Sequence, residues 1–206
     1  MTFVSVIIPS YQEKDFIGKC LDSLIENDYP KESLEILVLD GGSDDGTREI
    51  IKDYSKNHPF IKFLDNPKKF AVSAVNKGIR ESKGEIVIRC DVHAEYCPDY
   101  ISRLVSWLEK EKKIGSVGGI WINRPEEGGI PYALSHFFCV GPGRYRVGVK
   151  EPQEVDTVPF GAWRREVLDE VGFLDERFLR AEDLEFNIRI KRAGYKIVLD
   201  PEIKIY

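Results

Sequence analysis

Residues 86–93 read Ile-Val-Ile-Arg-Cys-Asp-Val-His. The first five, Ile86 to Cys90, form a nearly continuous apolar run, which is typical of a strand buried on both faces. The run ends at Asp91, and apolar residues at helical spacing follow from Ile101 to Leu108. A buried strand followed by an amphipathic helix is the repeating unit of a parallel α/β sheet.

The same unit occurs three times before residue 86. The predicted strands are Val4–Ile8, Ile36–Leu39 and Ile61–Leu64, and the helices after them carry apolar stripes that begin at Ile17, Ile50 and Ala71. Strands that alternate with helices of this length are joined by right-handed crossovers. The sequence therefore predicts an α/β fold with a Rossmann-like, mostly parallel central sheet flanked by helices.

Distinctive residues stand at the carboxyl ends of all four strands. The first strand runs into Pro9-Ser10-Tyr11, the second into Asp40, the third into Asp65 and the fourth into Asp91. In open α/β sheets, ligands bind in the crevice outside the carboxyl ends of the strands. We therefore expect these residues to lie along one edge of the sheet, beside a ligand.

The second half of the chain is less regular. Residues 123–154 are rich in Gly, Pro and Arg, and such a long irregular stretch is either a functional loop or disordered. The predicted elements are a strand at Val117–Ile122, a short helix near 131–139, a strand at Val155–Phe160, helices at about 164–171 and 182–193, a left-handed cap at Gly194, and strands at Lys196–Leu199 and Ile203–Tyr206. We expect a single domain over residues 1–206, cut from a longer protein because no tail follows the last strand.

Bulk composition restricts the classes of function. The 206 residues carry a formal net charge of −5, which argues against general nucleic-acid binding, since that leaves a basic footprint. The four cysteines form no C-x-x-C pair, so we expect buried free thiols, Cys20 and Cys90 among them, in a reducing compartment.

No apolar stretch reaches the roughly 20 residues that span a bilayer, and no signal peptide precedes the first strand. These features predict a cytoplasmic protein.

Asp91 and His93 are candidate metal ligands. Alternate residues of an extended segment point to the same side, so one ion can meet both side chains if the backbone bends there. A carboxylate and an imidazole both ligate Mn²⁺, whereas Mg²⁺ prefers oxygen ligands and keeps waters. The alternative is an Asp and a His that bond to the loop backbone. Their position at a strand end favours the metal site.

The segment Asp40-Gly41-Gly42-Ser43-Asp44-Asp45-Gly46-Thr47 follows the second strand. Its glycines allow tight turning and the close approach of a ligand. Asp40 is placed to accept hydrogen bonds from a base or a ribose, and Thr47 to cap the next helix. A turn built from ordinary turn residues explains the segment equally well.

Two further groups of charged residues have both a structural and a functional interpretation. Glu182-Asp183 begins a predicted helix, where acidic residues commonly interact with the helix dipole. The functional interpretation is a general base that takes a proton from an acceptor hydroxyl. Arg144, Arg146 and Lys150 form either a solvated basic loop or a lid that grips phosphate.

Taken together, these segments resemble the family 2 glycosyltransferases, inverting enzymes with the GT-A fold, over nearly the whole chain. One such motif is weak, but their order and spacing together are specific. The D-G-G-S and D-x-H-A motifs are most similar to those of the succinoglycan-type exopolysaccharide transferases. The matching segments are Val4–Glu13, Asp40–Thr47, Asn76–Ile79 with Lys83–Glu85, Asp91–Ala94 in the place of the D-x-D motif, Gly161–Arg165 with Val171–Glu176, and Glu182–Asp183.

The resemblance implies transfer of a sugar from a nucleotide-diphosphate donor, usually a UDP-sugar, to a glycan or a lipid-linked acceptor in polysaccharide synthesis. It implies a nucleotide-binding half over about 1–95, an acceptor-side half over about 96–206, Mn²⁺ or Mg²⁺ as cofactor, and a location that includes the cytoplasmic face of a membrane. By position, the residues implied to bind substrate are Pro9, Tyr11, Glu13, Asp40, Asn76, Asp91, Trp163 and Glu182; the metal ligands are Asp91 and His93, and the base is Asp183.

Three departures from the family pattern shape these expectations. His93 replaces the second aspartate of D-x-D, which removes a negative charge and favours Mn²⁺. Gly41 stands where many members have another acid, so Asp40 alone would meet the base or ribose. The Q-x-x-R-W motif of processive members is absent from residues 1–206, which suggests a distributive enzyme.

Other classes of protein fit the same sheet. A dinucleotide-dependent oxidoreductase requires G-x-G-x-x-G after the first strand, and Pro9-Ser10-Tyr11-Gln12-Glu13 does not match it. A nucleotidyltransferase and a non-catalytic nucleotide-sugar binding module remain as alternatives.

Overall fold

A computed structural model describes residues 1–122 and 149–206. In the first range, strands and helices alternate as the periodicity predicts. They are β1 (Val4–Ser10), α1 (Ile17–Ile25), a 3₁₀ turn (Lys31–Ser33), β2 (Leu34–Asp40), α2 (Thr47–Asn57), β3 (Ile61–Asp65), α3 (Ala71–Glu81), β4 (Ile86–Arg89), α4 (Tyr100–Lys110) and β5 (Ile114–Trp121). The second range contains β6 (Gln153–Glu154), β7 (Ala162–Arg164), α5 (Arg165–Val171), α6 (Glu182–Arg192) and β8 (Lys196–Ile205).

The strands form one eight-stranded sheet in the order β3-β2-β1-β4-β7-β5-β8-β6. β3, β2, β1 and β4 pair in parallel, as β5 and β8 do, while β7 and β6 pair antiparallel to their neighbours. The register places Ser10 beside Asp40 and Asp40 beside Asp65. The predicted mixed α/β fold and the common edge of the strand ends are therefore confirmed.

Successive residues of the central strands pack into cores on opposite faces of the sheet. Ile8, Val38 and Ile88 belong to one core, whereas Ile7, Leu37 and Val87 belong to the other. Helices α1 and α4 contribute to the first core, and α3, α5 and α6 to the second. Burial on both faces explains why these strands are continuous apolar runs. Cys20, Cys90 and Cys97 are buried free thiols, as predicted for the first two.

The strand prediction at Val155–Phe160 is wrong. The strand lies earlier, at Gln153–Glu154, and β7 begins only at Ala162. Pro159 has no backbone N–H to donate, and Phe160 adopts a φ of 56°, in the left-handed region that strands do not use. These two residues make a turn where the apolar pattern alone indicates a strand.

Two predicted C-terminal strands are one strand. β8 runs from Lys196 to Ile205, and its pairing with β5 jumps from Asp200 opposite Gly119 to Lys204 opposite Ile120. The irregularity accommodates Pro201, which a regular ladder excludes. Gly194 adopts a φ of +89°, as its predicted cap role requires.

The prediction that Thr47 caps α2 is also wrong. Thr47 is the first helical residue, and its backbone N–H donates to the Asp45 carboxylate at 3.0 Å. The predicted helix near 131–139 and the arginines Arg144 and Arg146 lie outside the described residues. None of the helices within residues 1–122 and 149–206 is long and apolar enough to cross a membrane.

Candidate active site

A cavity of about 170 Å³ opens at the carboxyl ends of β1 and β4. The end of β1 contributes Pro9, Ser10, Tyr11 and Glu13, and the segment before and into α3 contributes residues 66 and 69–71. β4 and the turn after it contribute residues 89–93 on the opposite side. Pro9, Tyr11, Glu13, Asp91 and His93, all predicted from the sequence, are therefore brought together.

Two hydrogen bonds with Tyr96 fix the backbone at Asp91. The hydroxyl of the buried Tyr96 accepts a hydrogen bond from the Asp91 N–H at 2.6 Å and donates to the Asp91 carbonyl at 3.0 Å. The Asp91 carboxylate accepts the N–H of His93 at 3.0 Å. This turn fixes the two candidate ligands relative to each other.

The imidazole of His93 contacts the loop after β1. Its Nε2 lies 2.9 Å from the Glu13 carboxylate, and its ring centre lies 4.5 Å from that of Phe16. Burial raises the pKa of the Glu13 carboxyl, and the nearby His93 opposes that rise. Across the described ranges, no group of three or more His, Cys, Asp or Glu side chains is arranged to hold a metal ion.

A second cavity, of about 270 Å³, also borders the turn of Asp91 and His93. Besides Asp91 and His93, it is lined by Ala94 and by apolar and aromatic residues of two strand ends: Trp121, Ile122, Ile205 and Tyr206. The chain near Tyr206 is held in place by paired backbone hydrogen bonds with Glu95 at 2.8 and 2.9 Å. The candidate metal ligands therefore border both cavities.

Asp40 ends the strand next to β1 but lines neither cavity. It is fully buried, and its carboxylate accepts the N–H groups of Gly42 and Ser43 and a hydrogen bond from Arg48, at 2.9 to 3.0 Å. Gly41 leaves room for Tyr11, because a Cβ at residue 41 would lie 3.0 Å from the Tyr11 ring. In this arrangement Asp40 shapes the loop on which the Tyr11 ring rests.

The loop after β2 also holds the loop after β1. The Gln12 N–H donates to the Ser43 hydroxyl and the Glu13 N–H to the Thr47 hydroxyl, both at 2.8 Å. Gln12 adopts a φ of 60°, a strained value for a residue with a side chain. The segment Asp40–Thr47 thus positions Glu13, and through it His93.

Asp183 is the second residue of α6. Burial raises the pKa of its carboxyl, and the hydrogen bond from the Leu184 N–H, at 2.8 Å, opposes that rise. A carboxyl whose pKa is raised is a stronger base than an ordinary one. The adjacent Glu182 forms an ion pair with Arg89 at 2.9 Å.

Like Asp40, Glu182 and Asp183, the predicted binding residues Asn76 and Trp163 are absent from the linings of these two cavities. Asn76 exchanges two hydrogen bonds with the backbone of Leu174, at 2.8 and 3.0 Å, and so fixes the segment before α6. Trp163 is buried against Phe186 with ring centres 5.4 Å apart. Substrate binding by these two residues stays a prediction.

The sequence assigned no binding role to several residues that line the first cavity. The Ser10 hydroxyl is buried and has no hydrogen-bond partner among the described residues, which leaves it available to a ligand. Asn66, Lys69 and Phe70 come from an irregular segment with no distinctive spacing. Arg89 could have been found, since a charged residue inside an apolar strand demands a partner.

Comparison with known proteins identifies the family of the chain. The family model for glycosyl transferase family 2 matches residues 5–172. The chain belongs to this family. Mixed α/β architecture and a sheet of eight strands identify its fold as GT-A, as the resemblance implied.

Three individual proteins illustrate the similarity. The dolichyl N-acetyl-alpha-D-glucosaminyl phosphate 3-beta-D-2,3-diacetamido-2,3-dideoxy-beta-D-glucuronosyltransferase of Methanococcus voltae is 33% identical over 98% of this chain and 66% of its own length. The succinoglycan biosynthesis protein ExoA of Rhizobium meliloti is 29% identical over 93% of this chain and 59% of its own. The mannosyltransferase PcManGT of Pyrobaculum calidifontis, solved with GDP-Man and Mn²⁺, superimposes with a TM-score of 0.78 at 25% identity, over 99% of this chain and 56% of that one. The chain therefore spans between 56% and 66% of the length of these three proteins.

Proposed function

We propose that this glycosyltransferase inverts the anomeric carbon of a nucleotide-diphosphate sugar as it transfers the sugar to an acceptor hydroxyl. The observation that carries the proposal is the turn of Asp91 and His93, which borders two cavities at the carboxyl edge of the sheet. A nucleotide in the first cavity would place its diphosphate at this turn. The sugar would then lie toward the second cavity.

The first cavity offers groups suited to a nucleoside. Tyr11 presents a half-exposed ring for stacking with a base, and the Ser10 hydroxyl offers an unused hydrogen-bonding group. Lys69 lies 5.4 Å from the centre of the Tyr11 ring and adds positive charge near the expected phosphates. UDP is the donor nucleotide that the family resemblance favours.

The residues at the turn fit a divalent cation. If the Nε2–H of His93 donates to Glu13, Nδ1 keeps its lone pair, and a carboxylate that orients an imidazole in this way is a common support for a metal ligand. Asp91 and His93 would hold the ion, with oxygens of the diphosphate as further ligands. Their mixed oxygen and nitrogen donors favour Mn²⁺ over Mg²⁺. A bound cation would neutralise charge on the departing diphosphate.

Asp183 is the proposed base. Its carboxylate would accept the proton of the acceptor hydroxyl while the acceptor oxygen bonds to the anomeric carbon and the bond to the diphosphate oxygen breaks. The raised pKa of Asp183 increases its proton affinity, which suits a residue that accepts a proton. Direct attack from the face opposite the leaving group produces inversion.

A glycan or a lipid-linked saccharide is the proposed acceptor, in the synthesis of a polysaccharide or glycan. The name of the Methanococcus voltae relative, 33% identical, specifies a dolichyl-phosphate-linked sugar. A lipid-linked acceptor would bring the full-length protein to the cytoplasmic face of a membrane.

A donor screen tests the function. UDP- and GDP-sugars are incubated with soluble glycans or with polyprenyl-phosphate-linked sugars, with Mn²⁺ or with EDTA, and nucleoside diphosphate release is measured. We expect release that depends on the cation, on one donor and on an acceptor. Binding of UDP and Mn²⁺ with no release for any combination would favour a binding module, and pyrophosphate release would favour a nucleotidyltransferase.

A further inference from the structure

Arg89 is a buried cation in the strand that leads to Asp91. The residue is 8% exposed, lies at the last position of β4 and lines the first cavity. Its backbone N–H donates to the Gly161 carbonyl at 3.1 Å, and its guanidinium lies 5.6 Å from the ring centre of Phe160. Arg89 therefore contacts the strained turn before β7, where Phe160 has its positive φ.

The guanidinium also reaches the first residue of α6. Its Nη2 lies 2.9 Å from the Glu182 carboxylate, and the two side chains are only 10% and 13% exposed. At this burial, solvent screens an ion pair weakly, and loss of either partner leaves a charge without compensation. The pair is a strong link between β4 and the start of α6.

The rest of α6 is fastened on a different side. Arg189 donates to the carbonyls of Val171 and Phe173, both at 2.8 Å, and pairs with Glu185 at 2.6 Å. These contacts hold the helix against the end of α5 and the segment after it, far along the chain from the turn at Asp91. The contact through Glu182 instead ties the helix to the strand that ends at the cavity.

We propose that Arg89 and Glu182 form a positioning pair that fixes the carboxylate of Asp183 relative to the turn of Asp91 and His93. This inference rests on the proposed function, because it takes Asp183 as the base. It assigns Glu182 a partner in the protein, where the family resemblance implied contact with substrate. The pair joins β4 to α6, and its two residues are 93 positions apart in the sequence.

The pair also sets the electrostatic surroundings of Asp183. Burial is the main cause of its raised pKa; among the nearby charges, Glu182 on the same helix raises it further and Arg89 from β4 lowers it. Removal of one charge from the pair therefore has an effect opposite to removal of the other.

The variants Arg89→Gln, Glu182→Gln and the double variant test the pair, with Glu185→Gln as the matched control on the same helix. The readouts are kcat, UDP affinity by calorimetry, and the titration of Asp183 by ¹³C NMR of its carboxyl. We expect Glu182→Gln to lower kcat about tenfold to a hundredfold through misplacement of the base, with little change in UDP affinity. The double variant should be no slower than the slower single variant, since both changes break one interaction.

The titration should shift in opposite directions. We expect a lower pKa of Asp183 in Glu182→Gln, a higher pKa in Arg89→Gln, and no shift in Glu185→Gln. Effects on kcat that multiply in the double variant, or single-variant shifts that are absent or share one direction, would overturn the pairing. If the parent protein turns over no donor, the proposed function fails, and the NMR titration alone still supports or overturns the pair.

Discussion

The imidazole Nε2 of His93 lies 2.9 Å from the carboxylate of Glu13, which joins the loop after β1 to the turn after β4. The loop after β1 is itself held by the hydroxyl groups of Ser43 and Thr47. A candidate metal ligand is therefore oriented by a residue 80 positions earlier in the chain. Such support commonly affects the affinity of a metal site as much as it affects its geometry.

Glu13→Gln should weaken Mn²⁺ binding in the presence of UDP by roughly tenfold to a hundredfold, because a neutral amide orients the His93 imidazole less strongly than a carboxylate does. Calorimetric titration of Mn²⁺ into the protein with UDP measures the change. Glu49→Gln is the control, since Glu49 is an exposed glutamate on α2 outside both cavity linings. Equal Mn²⁺ affinity in Glu13→Gln and the parent would contradict the role given to Glu13.

Tyr11→Ala should weaken UDP binding about tenfold or more, because base–aromatic stacking contributes roughly 1–3 kcal/mol. Phe178→Ala is the control. The two aromatic residues are equally exposed, at 43% and 42%, but only Tyr11 lines the first cavity. If both variants bind UDP as the parent does, the nucleotide lies elsewhere.

Asp183→Asn should abolish most turnover and yet increase stability at neutral pH. Burial raises the pKa of Asp183 in the folded protein above the usual range of an aspartate side chain. Folding therefore favours the protonated carboxyl. The stability that the protonated group contributes is fully present below its pKa in the unfolded chain, and it is lost as pH rises through its pKa in the folded protein. The neutral amide avoids this loss.

Thermal unfolding of Asp183→Asn and the parent across a pH series checks the sign. The stability advantage of the variant should be smallest near pH 4 and should grow toward about pH 7. An advantage that shrinks as pH rises would show that the ionised carboxylate is stabilised in the folded state, contrary to its burial.

Two helical glycines should respond oppositely to alanine. A Cβ at Gly78 would lie 2.6 Å from a methyl group of Ile7, so Gly78→Ala should destabilise the fold by roughly 1–3 kcal/mol through overpacking. At Gly18 a Cβ meets only the Tyr54 hydroxyl, at 3.6 Å, and Gly18→Ala should stabilise by about 0.5–1 kcal/mol. Chemical denaturation measures both, and destabilisation of similar size in the two variants would contradict the packing of α3 on β1.

The parallel half of the sheet could be predicted because each strand is an apolar run with a polar end. The turn at Phe160 could not, since only tertiary contacts such as those of Arg89 select a left-handed φ at a residue with a side chain. The sequence placed Asp91, His93, Glu13 and Tyr11 correctly at one edge. It could not show that Asp40 bonds to its own loop, because a buried carboxylate and a ligand-binding one share the same turn residues.

The most direct test of the account is the mass and anomeric configuration of the product, determined by mass spectrometry and NMR, with the parent and Asp183→Asn. We expect the parent with its donor and Mn²⁺ to add one glycosyl residue to the acceptor with inverted configuration. Asp183→Asn should form almost none of this product while it binds UDP as tightly as the parent. Retained configuration, a nucleotidyl group on the acceptor, or full turnover by Asp183→Asn would contradict the mechanism.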